Sequence, residues 1–145
     1  MGELRIERRF PVAPATVFSF VTEMDNLLKW WGPEGTSIGD HNLDLTKTGD
    51  WFFVLIDPSG GHHRVSGIVL SVDPPRSVEF TLIVHDPDGP PSIDSVVRFD
   101  VSGDGSGGAV FVLTQTGLSH DEIVKGSTRG WISTLGRLQV LLDQI

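Results

Sequence analysis

The side chains able to do acid-base, nucleophilic or metal chemistry are few in this chain and poorly spaced for it. There is no cysteine, so a thiol nucleophile, a thiolate metal site and a disulfide are excluded by composition. His62 and His63 are consecutive, and on a strand consecutive side chains point to opposite faces, where they do not close on one ion. No H-x-H or H-E-x-x-H spacing exists, and no metal site is expected. Serine, histidine and aspartate are all present, but no serine is placed on a strand-to-helix elbow of the G-x-S-x-G type. His85, at the end of a predicted strand, is the histidine best placed to act as acid or base near neutral pH, and its loop position predicts solvent exposure. No catalytic residue is assigned from these patterns.

Two loops resemble ligand motifs and fail on context. Gly103, Gly105 and Gly108 match G-x-G-x-x-G, but the stretch joins two strand-like segments, so it reads as a hairpin turn and not a pyrophosphate cradle. HDPDGPP, at 85–91, lacks the spacing and distal glutamate of a calcium loop. The formal net charge of −8, with 11 basic residues interspersed among 19 acidic ones, offers no footprint for a nucleic acid or an anionic membrane. No cofactor is expected.

The bulk numbers suit one soluble domain over 1–145. The segment MGELRIERRF is charged and runs into Pro11, unlike a signal peptide, and no apolar stretch reaches the length of a membrane span. Ile6 stands where a myristoylation signal wants serine or threonine. Together with the missing cysteines, these features lead to the expectation of a cytoplasmic protein.

The elements that must position any site follow from periodicity. Residues 3–10 alternate as a strand with one buried face. Pro14 suits a helix's first position, with Val17, Phe18, Phe20 and Val21 behind it at helical spacing, and a second short helix is predicted over 25–31, stopped by Gly32-Pro33. From 37 to 117 short β-rich runs alternate with turn clusters such as Asp57-Pro58, Asp73-Pro74 and Asp86-Pro87, predicting strands near 37–45, 51–56, 63–72, 77–85, 93–101 and 109–116. Ser119 and Glu122 have capping-box spacing, and Trp131, Leu135, Leu138 and Leu142 form one apolar stripe down a long terminal helix. Gly126, Gly130 and Gly136 interrupt that helix, which predicts either a break near Gly126 or close packing against small residues. An α+β layout results, in which the sheet has more apolar face than one helix covers unless it curls around it, leaving space for a pocket.

On PVAPATVF after the first strand, KWWGPEG at 29–35, GDWFFVL at 49–55, GIVLSVDPPRSVEFT at 67–81, LTQTGL at 113–118, and GW followed by STLGRL at 130–138, the chain resembles the family of heat-shock-protein-90 ATPase activator homologues in the START-like, or SRPBCC, superfamily. The resemblance spans nearly the whole chain. It implies a helix-grip fold: a curved six- to seven-stranded antiparallel sheet wrapping a long C-terminal helix, with two short helices after the first strand. It implies no shared reaction, because such relatives include lipid carriers, hormone-binding proteins, polyketide cyclases and a chaperone regulator. The eukaryotic activator's chaperone-binding N-terminal domain has no counterpart expected here.

Within that fold, alternation leaves Trp51, Phe53 and Leu55 competing with Phe52, Val54 and Ile56 for the inner face, and the family pattern places the former inward. The resulting ligand-contact candidates are Trp31, Trp51, Phe53, Phe80, Phe99, Leu113, Gln115, Trp131 and Leu135. Gln115 is the polar exception on an apolar phase and is expected to find a structural partner. In WWGPEG, one indole is expected to pack inward and the other to stand at the entrance, with alternation not deciding which. The expected function is binding of a small hydrophobic or aromatic molecule. The alternatives are a cyclase-, aromatase- or hydrolase-like enzyme using Gln115, His85 or water, and a protein regulator of the chaperone type. A homodimer is expected to use the apolar outer phase of Phe52, Val54 and Ile56.

Overall fold

The period-2 runs build a single sheet and the period-3.6 stripe builds the helix that it grips. The computed structural model describes residues 2–145. Its elements are β1 (Gly2–Phe10), α1 (Pro14–Thr22), α2 (Met24–Leu27), β2 (Ser37–His41), β3 (Gly49–Ile56), β4 (His62–Asp73), β5 (Ser77–Val84), β6 (Ile93–Gly103), β7 (Ala109–Leu118) and α3 (Asp121–Asp143). Seven antiparallel strands lie in the order β1-β7-β6-β5-β4-β3-β2. From β2 to β7 every strand pairs with its neighbour in sequence, while β1 crosses to the far side and pairs with β7. Among the described residues no helix is long and apolar enough to cross a membrane.

Register shifts interrupt the β1–β7, β2–β3 and β4–β5 ladders, and such irregularities bend and twist a sheet. Between Ser66 and Val69 the β4–β5 ladder also opens, without a change of register. Trp51 on β3 sits opposite Gly67 on β4, and its indole passes over that glycine to donate from Nε1 to the Thr81 carbonyl of β5 at 3.2 Å. A Cβ at Gly67 would fall 1.9 Å from that carbonyl oxygen. The amide of Ile68 donates instead to Thr81 Oγ1 at 2.8 Å, so the opened ladder leaves no donor stranded.

The helix α3 packs on β1 and β7, and α1 packs on β6 and β7. Their buried faces meet one core that includes Val17, Val21, Phe99, Phe111, Leu135, Leu138 and Leu142. The predicted stripe is therefore the buried face of α3, and the six- to seven-stranded expectation resolves to seven.

Four local expectations are corrected. The strand predicted over 37–45 ends at His41, because Leu43 and Leu45 turn inward to complete burial and the Leu45 amide bonds the Thr22 carbonyl at 2.9 Å. The helix predicted over 25–31 covers Met24–Leu27 and continues as a turn. The capping box does not form: His120, not Ser119, occupies the N-cap, with no side-chain cap bond, and Asp121 and Glu122 supply the favourable negative charge of the first turn. Finally, α3 neither breaks at Gly126 nor uses its glycines for close packing, since a Cβ at Gly126, Gly130 or Gly136 would meet nothing within 4 Å.

Candidate functional site

With α3 lying toward β1 and β7, the inner surface of β3, β4 and β5 is left incompletely covered. A cavity of about 230 Å³ occupies that space. Its sheet wall consists of Phe53, Leu55, Val65, Leu82, Val84, Ile93 and Gln115, its helix wall of Ser127, Gly130, Trp131 and Thr134, and its third side of the Trp31-Gly32-Pro33 turn. Half-buried Leu55, Val84 and Ile93 form the outer end. None of these side chains is ionisable.

The turn is held in place by both ends of the molecule. Trp30 is fully buried and donates from Nε1 to the Phe20 carbonyl at 2.9 Å, so it is the indole that plugs the core behind α1. Trp31 packs edge-on against Trp30, Phe53 and Trp131, with ring centroids 5.4, 5.9 and 5.8 Å away, and presents its remaining surface to the cavity. At 3% exposure it forms a wall and does not stand free at an entrance. Gly32 follows at φ +92, where a Cβ would also crowd Thr36 and Leu55. Arg137 of α3 then donates from Nη1 to the carbonyls of Trp31 and Gly32 at 3.2 and 2.9 Å, and Ser133 Oγ accepts from the Glu34 amide at 2.9 Å.

Gln115 has the structural partners expected of it. Its Oε1 accepts from Trp131 Nε1 at 2.9 Å, its Nε2 donates to Ser95 Oγ at 2.9 Å, and Ser95 Oγ donates to the Leu82 carbonyl at 3.0 Å. This chain ties α3 to β7, β6 and β5 across the floor of the cavity and fixes the Trp131 ring. Two-ended engagement leaves the amide little freedom to serve a reaction.

Of the nine candidates, Trp31, Phe53, Gln115 and Trp131 line the cavity. Trp51, Phe80, Phe99, Leu113 and Leu135 lie behind that wall in the core, where Trp51 stacks on Phe53 and meets Phe80 edge-on, and Phe80 meets Phe99. The candidates leave out the turn residues Gly32 and Pro33 and the inward-phase Leu55, Leu82 and Val84, and sequence reasoning missed Val65 and Ile93 on the sheet and Ser127, Gly130 and Thr134 on α3. For Ser127 and Thr134 a signal existed, since they precede Trp131 by four and follow it by three on the helical wheel.

The chemical groups considered from sequence lie elsewhere. His85 is exposed, with its Nε2 2.6 Å from Ser66 Oγ. His63 Nε2 approaches Asp57 Oδ2 at 2.7 Å in the β3–β4 hairpin. Among the described residues no three His, Cys, Asp or Glu side chains converge. In the 103–108 turn, Asp104 already accepts the amides of Ser106 and Gly108, consuming donors that a phosphate would need. Residues 35–39 read G-x-S-x-G as letters, but Ser37 opens the edge strand β2 from a loop, the wrong context for a nucleophile elbow.

A curved antiparallel sheet closed on one long helix around an apolar cavity defines a helix-grip domain of the START-like class. The family model described as activator of Hsp90 ATPase homolog 1-like protein matches residues 11–143, and the chain belongs to that family. Among solved structures, the chain is similar to the AHSA1 protein of Silicibacter pomeroyi, with 39% identity over 99% of each chain and a TM-score of 0.92. A Chromobacterium violaceum protein shares the fold at 23% identity, with 97% of this chain and 96% of that one covered and a TM-score of 0.82. CalU16 of Micromonospora echinospora does so at 19% identity, with 97% and 75% covered and a TM-score of 0.69. No curated protein matches the chain.

Proposed function

We infer that the protein binds a small hydrophobic or aromatic molecule in the cavity between the sheet and α3. One observation carries the reading: a space of about 230 Å³ is walled by two indoles, a phenyl ring and aliphatic side chains without an ionisable group. A cavity of about 150 Å³ lined by Leu, Ile and Phe accepts benzene, and drug-sized ligands occupy roughly 300–1,000 Å³. The volume between those limits suits one or two fused rings. Transfer of such a molecule from water is favoured by the apolar area it buries, and Trp31 and Trp131 offer ring faces and edges for aromatic contact. Proton transfer has no group in the wall to perform it, which favours binding over the enzymatic alternative.

Native mass spectrometry of freshly purified protein, followed by a thermal-shift screen of apolar metabolites, tests the reading. A ligand at a hundred times its Kd is expected to add about 2.7 kcal/mol, raising the Tm by about 5–10 °C for a chain of this size. Absence of both a bound mass and any stabilising compound overturns it.

A homodimer through the outer face of β3 and β4 is the second partner in this reading. Ile68 is 47% exposed there beside half-buried Phe52, Val54 and Ile56. Sedimentation velocity is expected to show concentration-dependent association that Ile68→Glu abolishes, and a single monomeric species at all concentrations counts against it.

A further inference from the structure

The polar side chains around the cavity proposed above to hold a ligand are committed or buried, so selection among apolar molecules falls to shape. Gln115 spans Trp131 and Ser95, Thr134 Oγ1 donates back to the Gly130 carbonyl at 2.8 Å, and Ser127 Oγ is buried without a hydrogen-bond partner. What distinguishes the helix wall is a side chain that is missing. Ser127, Gly130, Trp131 and Thr134 all line the cavity, and intervals of three, one and three residues set them on one face of α3. Gly130 stands in the middle of that face, with the cavity bordered on both sides of it.

Nothing in the fold calls for glycine at this position. Its backbone is not in the left-handed region, and a Cβ there would meet no atom within 4 Å. Alanine would be favoured by its helix propensity and by the apolar surface that its methyl group would bury. Gly126 and Gly136 also have open space where a Cβ would go, but both are exposed and neither lines this cavity. At half-buried Gly130 the open space is the cavity itself. A position at which stability favours a larger residue, with no packing or backbone reason for the smaller one, is where function is expected to set the choice.

The geometry points to Gly130 as the size-determining residue of the cavity, whose missing side chain leaves room for two fused rings where any larger residue would leave room for one or none. This deepens the binding reading and rests on it. A cavity of about 150 Å³ already accepts benzene, and the margin between that and the observed volume of about 230 Å³ is what a side chain at position 130 would consume. The ligand class is therefore a neutral, flat, bicyclic molecule.

Benzene and naphthalene, titrated by calorimetry against wild type, Gly130→Ala, Gly130→Leu and Gly136→Ala, test the assignment. Wild type is expected to bind naphthalene about tenfold or more tightly than benzene, because the second ring buries further apolar area. Gly130→Ala is expected to lose about tenfold for naphthalene and no more than about twofold for benzene, and Gly130→Leu to bind neither. Gly136→Ala makes the same exchange in the same helix away from the cavity. Both alanine variants are expected to raise the Tm by about 3–5 °C, while only Gly130→Ala changes binding. Naphthalene binding that survives in Gly130→Ala, or that falls equally in Gly136→Ala, overturns the role of Gly130 and leaves cavity binding standing. A lowered Tm in Gly130→Ala overturns it as well, since the methyl group would then be meeting the fold and not open space. Wild-type protein that binds benzene as tightly as naphthalene removes the size selection without recourse to any variant. Binding of neither probe to wild type overturns the selection and counts directly against the cavity reading beneath it.

Discussion

At the scale of single residues, the molecule depends on places where a side chain is missing. Gly67 lets the Trp51 indole cross β4 to reach Thr81, and no other residue type fits under that ring. Gly67→Ala is expected to destabilise the protein by about 2–4 kcal/mol through overpacking and a lost indole hydrogen bond. A lower denaturant midpoint with an unchanged m-value is the expected signature. Gln115 illustrates the complementary case, a polar side chain on an apolar face whose every strong bond is internal. Its polarity was legible in the alternation of β7. Its partners were not, because Ser95 lies 20 residues away and Trp131 lies 16 away on another element.

At the scale of elements, α3 and the β3–β4 hairpin carry opposite lessons. The apolar stripe of α3 was readable because helical periodicity is local. The unbroken course of the helix through Gly126 and Gly130 was not, because tertiary burial of the stripe overrides the propensity penalty. Gly130→Ala is therefore expected to raise stability by about 1 kcal/mol, seen as a higher Tm, while placing a methyl group at the cavity wall and weakening ligand binding. In the hairpin, Asp57 accepts from the Ser59 hydroxyl, from His63 and from the amides of Gly61 and Ser59. Those bonds, the Ser59 hydroxyl foremost, hold its carboxyl well below the usual carboxylate range. A depressed folded-state pKa means that its stabilisation is complete above the unfolded value of about 4 and is lost as the pH falls toward the folded one. Denaturation midpoints of wild type and Asp57→Asn are expected to differ at pH 7 and to converge below about pH 4.

At the scale of the whole molecule, the cavity exists because distant parts of the chain are clamped together. Arg137 reaches the Gly32 carbonyl across 105 positions of sequence, and Ser133 reaches the Glu34 amide across 99. Arg137→Met keeps the apolar stem and removes both carbonyl bonds. It is expected to cost about 1–3 kcal/mol and to speed amide hydrogen exchange over 31–36 more than elsewhere, since the Ser133 bond to Glu34 is then the remaining hydrogen bond from α3 to the turn. Equal exchange in the turn would show that packing of Trp31 suffices to hold that wall.

Local periodicity and turn chemistry determined the kinds and order of elements, the single apolar stripe of the last helix and the phases of most strands, because these patterns repeat over a few residues. The excess of apolar sheet face over one helix stripe called for a curled sheet, and the resemblance of several short motifs to one family agreed with it. Only the tertiary structure decided that Trp30 plugs the core while Trp31 walls the cavity, that five of the nine candidate residues lie behind the wall, and that Ser127 is left without a protein partner. Each of those outcomes is a distance between residues far apart in the chain, set by how the sheet bends over the helix, and no pattern within one segment encodes it.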